Sequence, residues 1–586
     1  MVRYLFITPL LFILLSIYLW RVFPISPDEI SYFATDTRFM ADGFNRILDW
    51  MPFCGTHIQK IPLLLYPFAF SLGLEAKIHS ITDIRWLGIA YNIIGLILFI
   101  FVIYRILIKS YKTEKVVAFL AITYFLLGLT YGLLPIQLVN HRAEQFIFFL
   151  FALMLACLYY EDIFKGKIYF RIILGSLLTT VFFISSYYHP KYLYFLPAVL
   201  FIIINLFKYY KKIILIFISF IIIISYYDYK MFEIQLFECP EIENRAEEMK
   251  SMNINPALLI KEPSVFFEKI INNMKIERFK KYIHRESFSE KHDKSLPGLI
   301  PHTRLDTFSF IGNFYTFVFS IFTFIIFNIF FIYICFFIFF NKRFGFEYEF
   351  MRDKTIISKI GLFFIMIAPL SSFLLNLQQN YYDSISWTIE FSMISIFPFS
   401  LILSKILNKN LVKNKYFIYL FICLLSIGSL TSDFFVLKKI YPILLSGNSG
   451  SGIPIYAYNL KNEYQQVEFL ENKASINVKI QKIITDDMAY NLIQPSPYTH
   501  ALTWVWYSIN EIYPQKMNNK ERFKLLWRET YKYAKKNNFA AIIGYCPSFA
   551  TGFDQNTILI ANPKDWYHSF CLAKVSSLKK NIKAQR

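Results

Sequence analysis

Long apolar runs separated by short polar connectors dominate the sequence between residues 4 and 437. A run of about 20 apolar residues is long enough for a helix to cross the roughly 30 Å hydrocarbon core of a bilayer. The run at 308–340 is too long for one straight span, so we expect an interfacial segment that bends near Gly312 or Asn313. The pattern predicts eleven transmembrane helices, over residues 4–22, 84–107, 116–134, 144–160, 171–187, 191–208, 212–228, 308–340, 357–376, 386–407 and 416–437.

Positive charge in the connectors predicts which ends of these helices face the cytoplasm. Every second connector is rich in Lys and Arg, and these connectors are predicted to face the cytoplasm. The connectors between them, which include residues 23–83 and 228–307, and the C-terminal tail are therefore predicted on the outward side. This alternation holds if the short, two-proline run 61–75 lies at the interface or re-enters instead of crossing. The Lys/Arg-rich connectors are Lys109–Lys115, Glu161–Arg171, Lys208–Lys212, Asn341–Lys359 and Lys405–Lys415.

The pattern changes after Lys438 to mixed polar sequence with short apolar segments. Two of these segments, 478–487 and 539–546, predict short buried strands. Between them, residues 521–536 have the spacing of an amphipathic helix. This order of elements predicts a small α/β domain.

The composition supports the assignment to a membrane. The 586-residue chain is 56% hydrophobic with a mean hydropathy of +0.41, which is more apolar surface than a soluble protein of this size buries. Its net charge of +20 comes from the clusters between apolar runs, so the charge reflects topology and predicts no nucleic-acid partner. We predict an all-α polytopic membrane bundle of about 11 transmembrane helices over residues 1–437 and a soluble extracytoplasmic α/β domain over residues 438–586.

Seven cysteines, with no Cys-x-x-Cys pair, exclude an ordinary zinc site and a dense disulfide framework. Cys546 and Cys571 can pair if their domain lies outside the cytoplasm. The abundance of Lys, Ile, Phe and Asn is typical of an AT-rich bacterial genome. We therefore expect the bacterial cytoplasmic (inner) membrane, with the C-terminal domain in the periplasm.

The stretch FPISPDEISYF at 23–33 places two adjacent acids, Asp28 and Glu29, just after the first apolar run. Asp28 and Tyr32 share one face of a predicted helix at i and i+4, while Glu29 points roughly 100° away. Only one of the two acids can therefore face a given site. The alternative is that both acids complement the dipole of a helix that begins there.

Two further predicted outward tips carry charged residues. NHRAEQ at 140–145 contains Arg142 and Glu144, and YYHPKYLYF at 187–195 contains His189 and Lys191. Charged side chains near the hydrocarbon of a membrane are energetically costly, so their presence at these tips suggests a functional role. The alternatives are a surface pair between Arg142 and Glu144 and a Lys191 side chain that snorkels to the interface.

The order of these features resembles the integral-membrane GT-C glycosyltransferases. It consists of an N-terminal span, an outward DE followed by an aromatic, a non-spanning helix at 61–75, and a second span opened by DIRWLG. The likeness is greatest to protein O-mannosyltransferases and lipid A aminoarabinose transferases, and it covers residues 1 to about 210. The resemblance implies that Asp28 is the general base, with Glu29 as the alternative, and that Glu144 is a second acid.

The resemblance also implies the substrates. The donor is a sugar on a polyprenyl phosphate in the membrane, and the acceptor is an envelope lipid, glycan or protein. Tyr32, Arg142, His189 and Lys191 are the candidate substrate-binding residues, with the cations contacting the lipid phosphate. Transfer of the hexose or pentose inverts the anomeric centre as the carboxylate accepts the proton of the attacking hydroxyl. This chemistry requires no cofactor, although it is compatible with a divalent metal.

Other functions use the same membrane architecture. A transporter or flippase for lipid-linked saccharides is expected to show two similar halves and charged or Gly/Pro-broken spans at mid-membrane. An O-antigen ligase or polymerase also uses lipid-linked sugars, but it has other sequence motifs. A catalytically inactive scaffold needs no catalytic motif. The sequence has unlike halves and its charged tips lie at the predicted outward rims, which favours the glycosyltransferase.

Overall fold

A computed structural model gives the fold. It describes residues 7–21, 81–139, 143–164, 166–188, 190–237, 253–285, 307–340, 354–377, 381–407, 415–445, 460–477, 480–485, 499–501, 519–546, 558–564 and 569–575. The described residues form two compact units. The first takes in the described parts of Met1–Trp20, Gly88–Met231 and Lys250–Lys438, and the second takes in those of Arg21–Leu87, Phe232–Met249 and Lys439–Arg586.

Helices account for nearly all of the described residues before position 446. In chain order they are α1 Ile7–Trp20, α2 Ile81–Lys109, α3 Lys115–Gly128, α4 Ile136–Val139, α5 Ile147–Leu158, α6 Tyr160–Ile163, α7 Ile168–Tyr188, α8 Leu196–Leu206, α9 Lys211–Phe237, α10 Leu258–Lys261, α11 Pro263–Asn273, α12 Ile276–Arg285, α13 Thr307–Phe340, α14 Lys354–Leu375, α15 Tyr381–Ile406 and α16 Lys415–Leu445. Two 3₁₀ turns, Ala143–Phe146 and Pro190–Phe195, lead into α5 and α8.

Six helices among the described residues are long and apolar enough to cross a membrane. Their spanning parts are Gly88–Lys109, Ile168–Ser186, Ser309–Phe339, Ile356–Leu375, Asp383–Ile406 and Tyr416–Lys438. Four shorter apolar segments, at Ile7–Trp20, Lys115–Gly128, Glu144–Leu158 and Lys191–Leu206, coincide with other predicted spans. The fold is therefore that of a helical membrane protein, while the number of eleven spans stays a prediction. Helix α13 is continuous over Thr307–Phe340, and the bend near Gly312 or Asn313 stays a prediction.

Helix α15 lies at the centre of the bundle. It packs against α3, α13 and α14, and most of its residues from Ser384 to Ser400 are buried. Small residues permit close contact in bundles of this kind. Gly128 at the end of α3 is one of them, because a Cβ there would overlap the ring of Phe319 on α13.

The C-terminal unit contains a five-stranded mixed sheet, in the order β2-β1-β3-β5-β4. Strand β1 pairs in parallel with β2 and β3, whereas β5 pairs antiparallel with β3 and β4. Helix α17 contributes Val467 and Leu470 to one core, and helix α18 contributes Trp527 and Tyr531 to another. The elements are β1 Ile483–Thr485, β2 Thr499–Ala501, β3 Ala541–Tyr545, β4 Leu559–Ile560, β5 Phe570–Lys574, α17 Leu460–Ala474 and α18 Asn519–Lys536.

The sequence predictions for this unit are mostly confirmed. Helix α18 covers the predicted 521–536, and β3 lies inside the predicted 539–546. Strand β1 lies inside the predicted 478–487, and before it the Gln481 N–H donates to the Asn477 carbonyl. The patterns did not predict α17, β2, β4 or β5. The boundary between the membrane bundle and the C-terminal domain, placed between residues 437 and 438, stays a prediction.

A disulfide joins Cys546, just after β3, to Cys571 on β5. The two strands are antiparallel neighbours, and the Cα atoms of the two cysteines lie 4.9 Å apart. The sequence left this pairing open. Cys157, Cys335 and Cys423 are the unpaired cysteines among the described residues.

Candidate functional site

Glu144 and Lys191, two residues of the sequence-predicted set, form an ion pair. Glu144 lies in the 3₁₀ turn before α5, and Lys191 lies in the 3₁₀ turn before α8. Lys191 Nζ is 3.0 Å from Glu144 Oε1, although the two residues are 47 positions apart in the chain. The fold thus brings together candidate residues from two separate connectors.

Local interactions hold both turns in place. Gln137 Nε2 donates to the Glu144 carbonyl at 2.9 Å, which ties that turn to α4. Pro190 opens the second turn, where its missing N–H has no helical partner to lose. Phe195 packs edge-on against Phe151 of α5, with their ring centroids 5.5 Å apart. These contacts fix the backbone from which the two charged side chains project.

Helix α15 adds a serine and a second acid to the pair. Lys191 Nζ also donates to Ser386 Oγ at 3.0 Å, and Ser386 Oγ donates in turn to Glu390 Oε1 at 3.0 Å. Ser386 and Glu390 are one helical turn apart, at i and i+4, so both project from the same face of α15. We name Glu144, Lys191, Ser386 and Glu390 the acid–lysine cluster.

The acid–lysine cluster is buried. The Glu144 and Lys191 side chains are 5% and 10% exposed, and Ser386 and Glu390 are equally enclosed. Removing an ion from water costs several kcal/mol unless charges and hydrogen bonds compensate. Lys191 therefore does not snorkel, because its ammonium is satisfied inside the protein by a carboxylate and a hydroxyl. Such an arrangement can present a desolvated cation to an anionic group of a substrate.

A second polar group adjoins the start of α15. Asn376 Nδ2 donates to Asp383 Oδ2 at 3.0 Å. The buried Arg278 of α12 donates to the Asn376 and Phe373 carbonyls and stacks on the Phe373 ring, 4.8 Å from its centroid. Burial lowers the pKa of Arg278 to about 10, against the opposing effect of Asp383. Arg278 thus caps the C-terminal end of α14 by hydrogen-bonding its last carbonyls, which is a structural role.

Five residues of the predicted site lie outside the described residues. They are Asp28, Glu29, Tyr32, Arg142 and His189. Their roles stay predictions. No group of three or more His, Cys, Asp or Glu with metal-binding geometry occurs in the described part of the chain.

Ser386, Glu390 and Asp433 are polar residues that the sequence reasoning missed. Glu390 and Asp433 lie inside candidate spans and are 2% and 3% exposed. Asp433 Oδ1 accepts a hydrogen bond from Ser16 Oγ of α1 at 2.7 Å. An acid within an apolar run is a signal by itself, because it is expensive in a membrane. The sequence analysis considered charged residues only at the predicted outward ends of the spans, so it missed Glu390 and Asp433 within them.

The comparisons with known proteins add no assignment. The chain matches no protein-family model, and no curated protein is significantly similar to it.

Proposed function

We propose that this protein is a GT-C-type membrane glycosyltransferase that moves a sugar from a polyprenyl-phosphate donor to an envelope lipid, glycan or protein. The observation that carries the proposal is the buried pair of Glu144 and Lys191. These residues come from the two connectors at which the resemblance implies an acid and a phosphate-binding cation. The helical membrane architecture supports the use of a lipid-linked substrate.

The proposed reaction is an inverting displacement at the anomeric carbon. The acceptor hydroxyl attacks, its proton passes to the Asp28 carboxylate, and the bond to the phosphate oxygen breaks with the electron pair leaving on the phosphate. Lys191 stabilises the negative charge of that leaving group, an interaction strengthened by exclusion of water. A phosphate oxygen competes there with Glu144 or Ser386 for the ammonium. Glu144 and Ser386 act as positioning residues for Lys191.

The proposed location is the bacterial cytoplasmic membrane, with the reaction on its periplasmic face. The Cys546–Cys571 disulfide supports an extracytoplasmic C-terminal unit, because disulfides persist mainly in oxidising compartments. The Lys/Arg alternation of the connectors supports the same orientation for the tips that carry Glu144 and Lys191. The domain organisation proposed is a bundle to residue 437 followed by this soluble domain, with eleven spans in all.

The test is transfer by the purified protein in micelles from a polyprenyl-phosphate hexose or pentose. The acceptor is first found by mass spectrometry of the envelope glycans of a deletion strain. Lys191→Met should lower turnover per folded molecule by about 10²–10³-fold through loss of an electrostatic contact to the leaving group. Asp28→Asn should lower it by roughly 10²–10⁴-fold. Lys191→Arg should recover part of the rate.

Lys208→Met is the matched control, because Lys208 lies in a predicted cytoplasmic connector, and its turnover should equal that of the wild type. Unchanged glycans and lipid-linked sugars in the deletion strain, with no transfer from any donor, would refute the enzyme. Accumulation of intact lipid-linked sugar on the cytoplasmic leaflet would instead assign the protein as a flippase.

A further inference from the structure

Helix α11 carries two adjacent apolar stripes, and only one of them is buried by the protein. Phe266 and Ile270 pack against Ile254 and Leu375 in a small core. The neighbouring stripe contains Phe267 and Ile271 and continues to Met274, the residue after the helix; these are 54%, 69% and 63% exposed. Exposure of an apolar stripe of this size to water is unfavourable, so we expect an apolar phase to cover it.

The segment that carries this stripe is attached to the end of a candidate span. Ile254 N–H donates to the Leu375 carbonyl at 2.8 Å, and Asn273 Nδ2 donates to the Leu374 carbonyl at 2.6 Å. Leu375 is the last residue of the candidate span Ile356–Leu375. Because Ile254, upstream of α11, and Asn273, its last residue, both bond to the end of this span, the helix lies at the level where the hydrocarbon of a membrane gives way to head groups.

Helix α12 gives a second measure of that level. The Tyr282 hydroxyl lies 3.0 Å from Thr388 Oγ1. Thr388 is five residues inside the candidate span that begins at Asp383, which corresponds to about 7–8 Å of helix. The segment from residue 253 to 285 therefore extends to the depth of the spans and is not a loop held far above them.

The charges around the stripe suit a phospholipid surface. Lys261, Lys269 and Lys275 are exposed on or beside α11, together with the acids Glu262 and Glu268. Lys269 lies about 160° around the helix from both Phe267 and Ile271. A helix that lies in an interface buries its apolar side among acyl chains and keeps Lys on its polar side, close to anionic head groups.

We propose that α11 is an interfacial helix whose Phe267, Ile271 and Met274 insert into the phospholipid leaflet at the Leu375 end of α14. The occupant of the stripe is thus membrane lipid, with anionic phospholipid favoured. The depth of attachment, the exposed apolar stripe and the flanking lysines together carry this assignment. It is independent of the glycosyltransferase proposal, since it depends only on the membrane-spanning architecture.

The test places the photoreactive residue p-benzoylphenylalanine at Ile271 or, as the matched control, at Lys269 in the full chain. Both proteins are reconstituted in nanodiscs of phosphatidylethanolamine and phosphatidylglycerol, irradiated and examined by intact-protein mass spectrometry. We expect phospholipid adducts to be several-fold more abundant at 271 than at 269. A melting temperature equal to that of the wild type verifies the fold of each protein, and Phe267 serves as a second labelled position.

Several outcomes would overturn the proposal. Adducts with this chain or with a second copy at positions 271 and 267, in place of phospholipid, would assign the stripe to a protein interface. Equal lipid labelling at 271 and 269 would mean that the helix has no preferred face toward the bilayer. Absence of lipid adducts at 271 and 267, with efficient labelling of an exposed position in α13 as the positive control, would place the stripe in water.

Discussion

Two acids buried in the helical bundle, Glu144 and Asp433, have different neighbours. Glu144 lies 3.0 Å from the ammonium of Lys191, which also contacts Ser386. Asp433 receives one hydrogen bond, from Ser16, and its Oδ2 accepts none from the described residues. The bundle thus holds one acid in a charged network and the other against a hydroxyl.

The difference separates a site from a scaffold contact. A carboxyl that bonds one hydroxyl can join two helices through that hydrogen bond, as polar side chains do in membrane bundles. A lysine in a buried cluster brings a second charge that must be desolvated, and packing alone favours an apolar side chain there. Lys191 is therefore the residue whose presence calls for a function, whereas Asp433 requires only that α1 and α16 stay together.

The largest expected effect tests the charged network. Lys191→Met removes the ammonium that lies 3.0 Å from the buried Glu144 carboxylate, and we expect unfolding in mixed micelles to become easier by about 3–5 kcal/mol. The double variant Glu144→Gln/Lys191→Met should recover part of this loss, because it also removes the buried Glu144 charge. A single variant as stable as the wild type would mean that the pair is not buried in the membrane-bound protein.

The sequence predicted most of the helices because apolar runs of span length carry their own signal. It predicted α18 and β3 for a similar reason, since both have a clear apolar periodicity. It failed for β2, β4 and β5, which contain only two to five residues each. Such strands are specified by pairing with their neighbours, β2 with β1, β5 with β3 and β4 with β5, and pairing is a property of the folded sheet.

The site was predicted only in part for a related reason. Glu144 and Lys191 stand out in the sequence because each is a charge beside an apolar run. Their contact across 47 residues depends on how α5 and α8 pack, so no local pattern contains it. Ser386 was missed because a serine in a span is unremarkable until its hydroxyl is seen between Lys191 and Glu390.

A second test, with a smaller effect, removes that bridging hydroxyl. Ser386→Ala takes one partner from Lys191 and one from Glu390, and we expect a loss of about 1–3 kcal/mol in the free energy of unfolding. Ser400→Ala is the matched control on α15, because among the described residues its hydroxyl bonds only the Phe397 carbonyl of the same helix. Equal losses in the two variants would show that Ser386 contributes nothing through the cluster.

Glu471, a half-buried acid of the C-terminal unit, provides a third case for comparison, outside the helical bundle. Burial and the nearby Glu468 raise the pKa of Glu471 to about 7 from 4.5. The folded state then binds more protons than the unfolded state between these values, so stability present at low pH is lost as the pH rises through 7. Glu471→Gln should make this unit more stable by about 1 kcal/mol at pH 8, after allowance for screening by water.

Protease resistance of the C-terminal unit in the full chain, at pH 5 and pH 8, measures this difference. Glu468→Gln is the companion variant, since it removes the repulsion but leaves the burial of Glu471, and it should give a smaller gain. A wild-type protein whose resistance is the same at both pH values would contradict the raised pKa.

The smallest expected effect belongs to Asp433. Asp433→Asn keeps an oxygen that accepts the Ser16 hydrogen bond, and it changes only the atom at the position of Oδ2, to which no described residue donates a hydrogen bond. We therefore expect a change below about 1 kcal/mol in the free energy of unfolding and unchanged transfer per folded molecule. Ser16→Ala, which leaves the buried carboxyl without its donor, should cost more. If Asp433→Asn instead abolishes activity in a stably folded protein, Asp433 belongs to a functional pathway and its distinction from Glu144 is wrong.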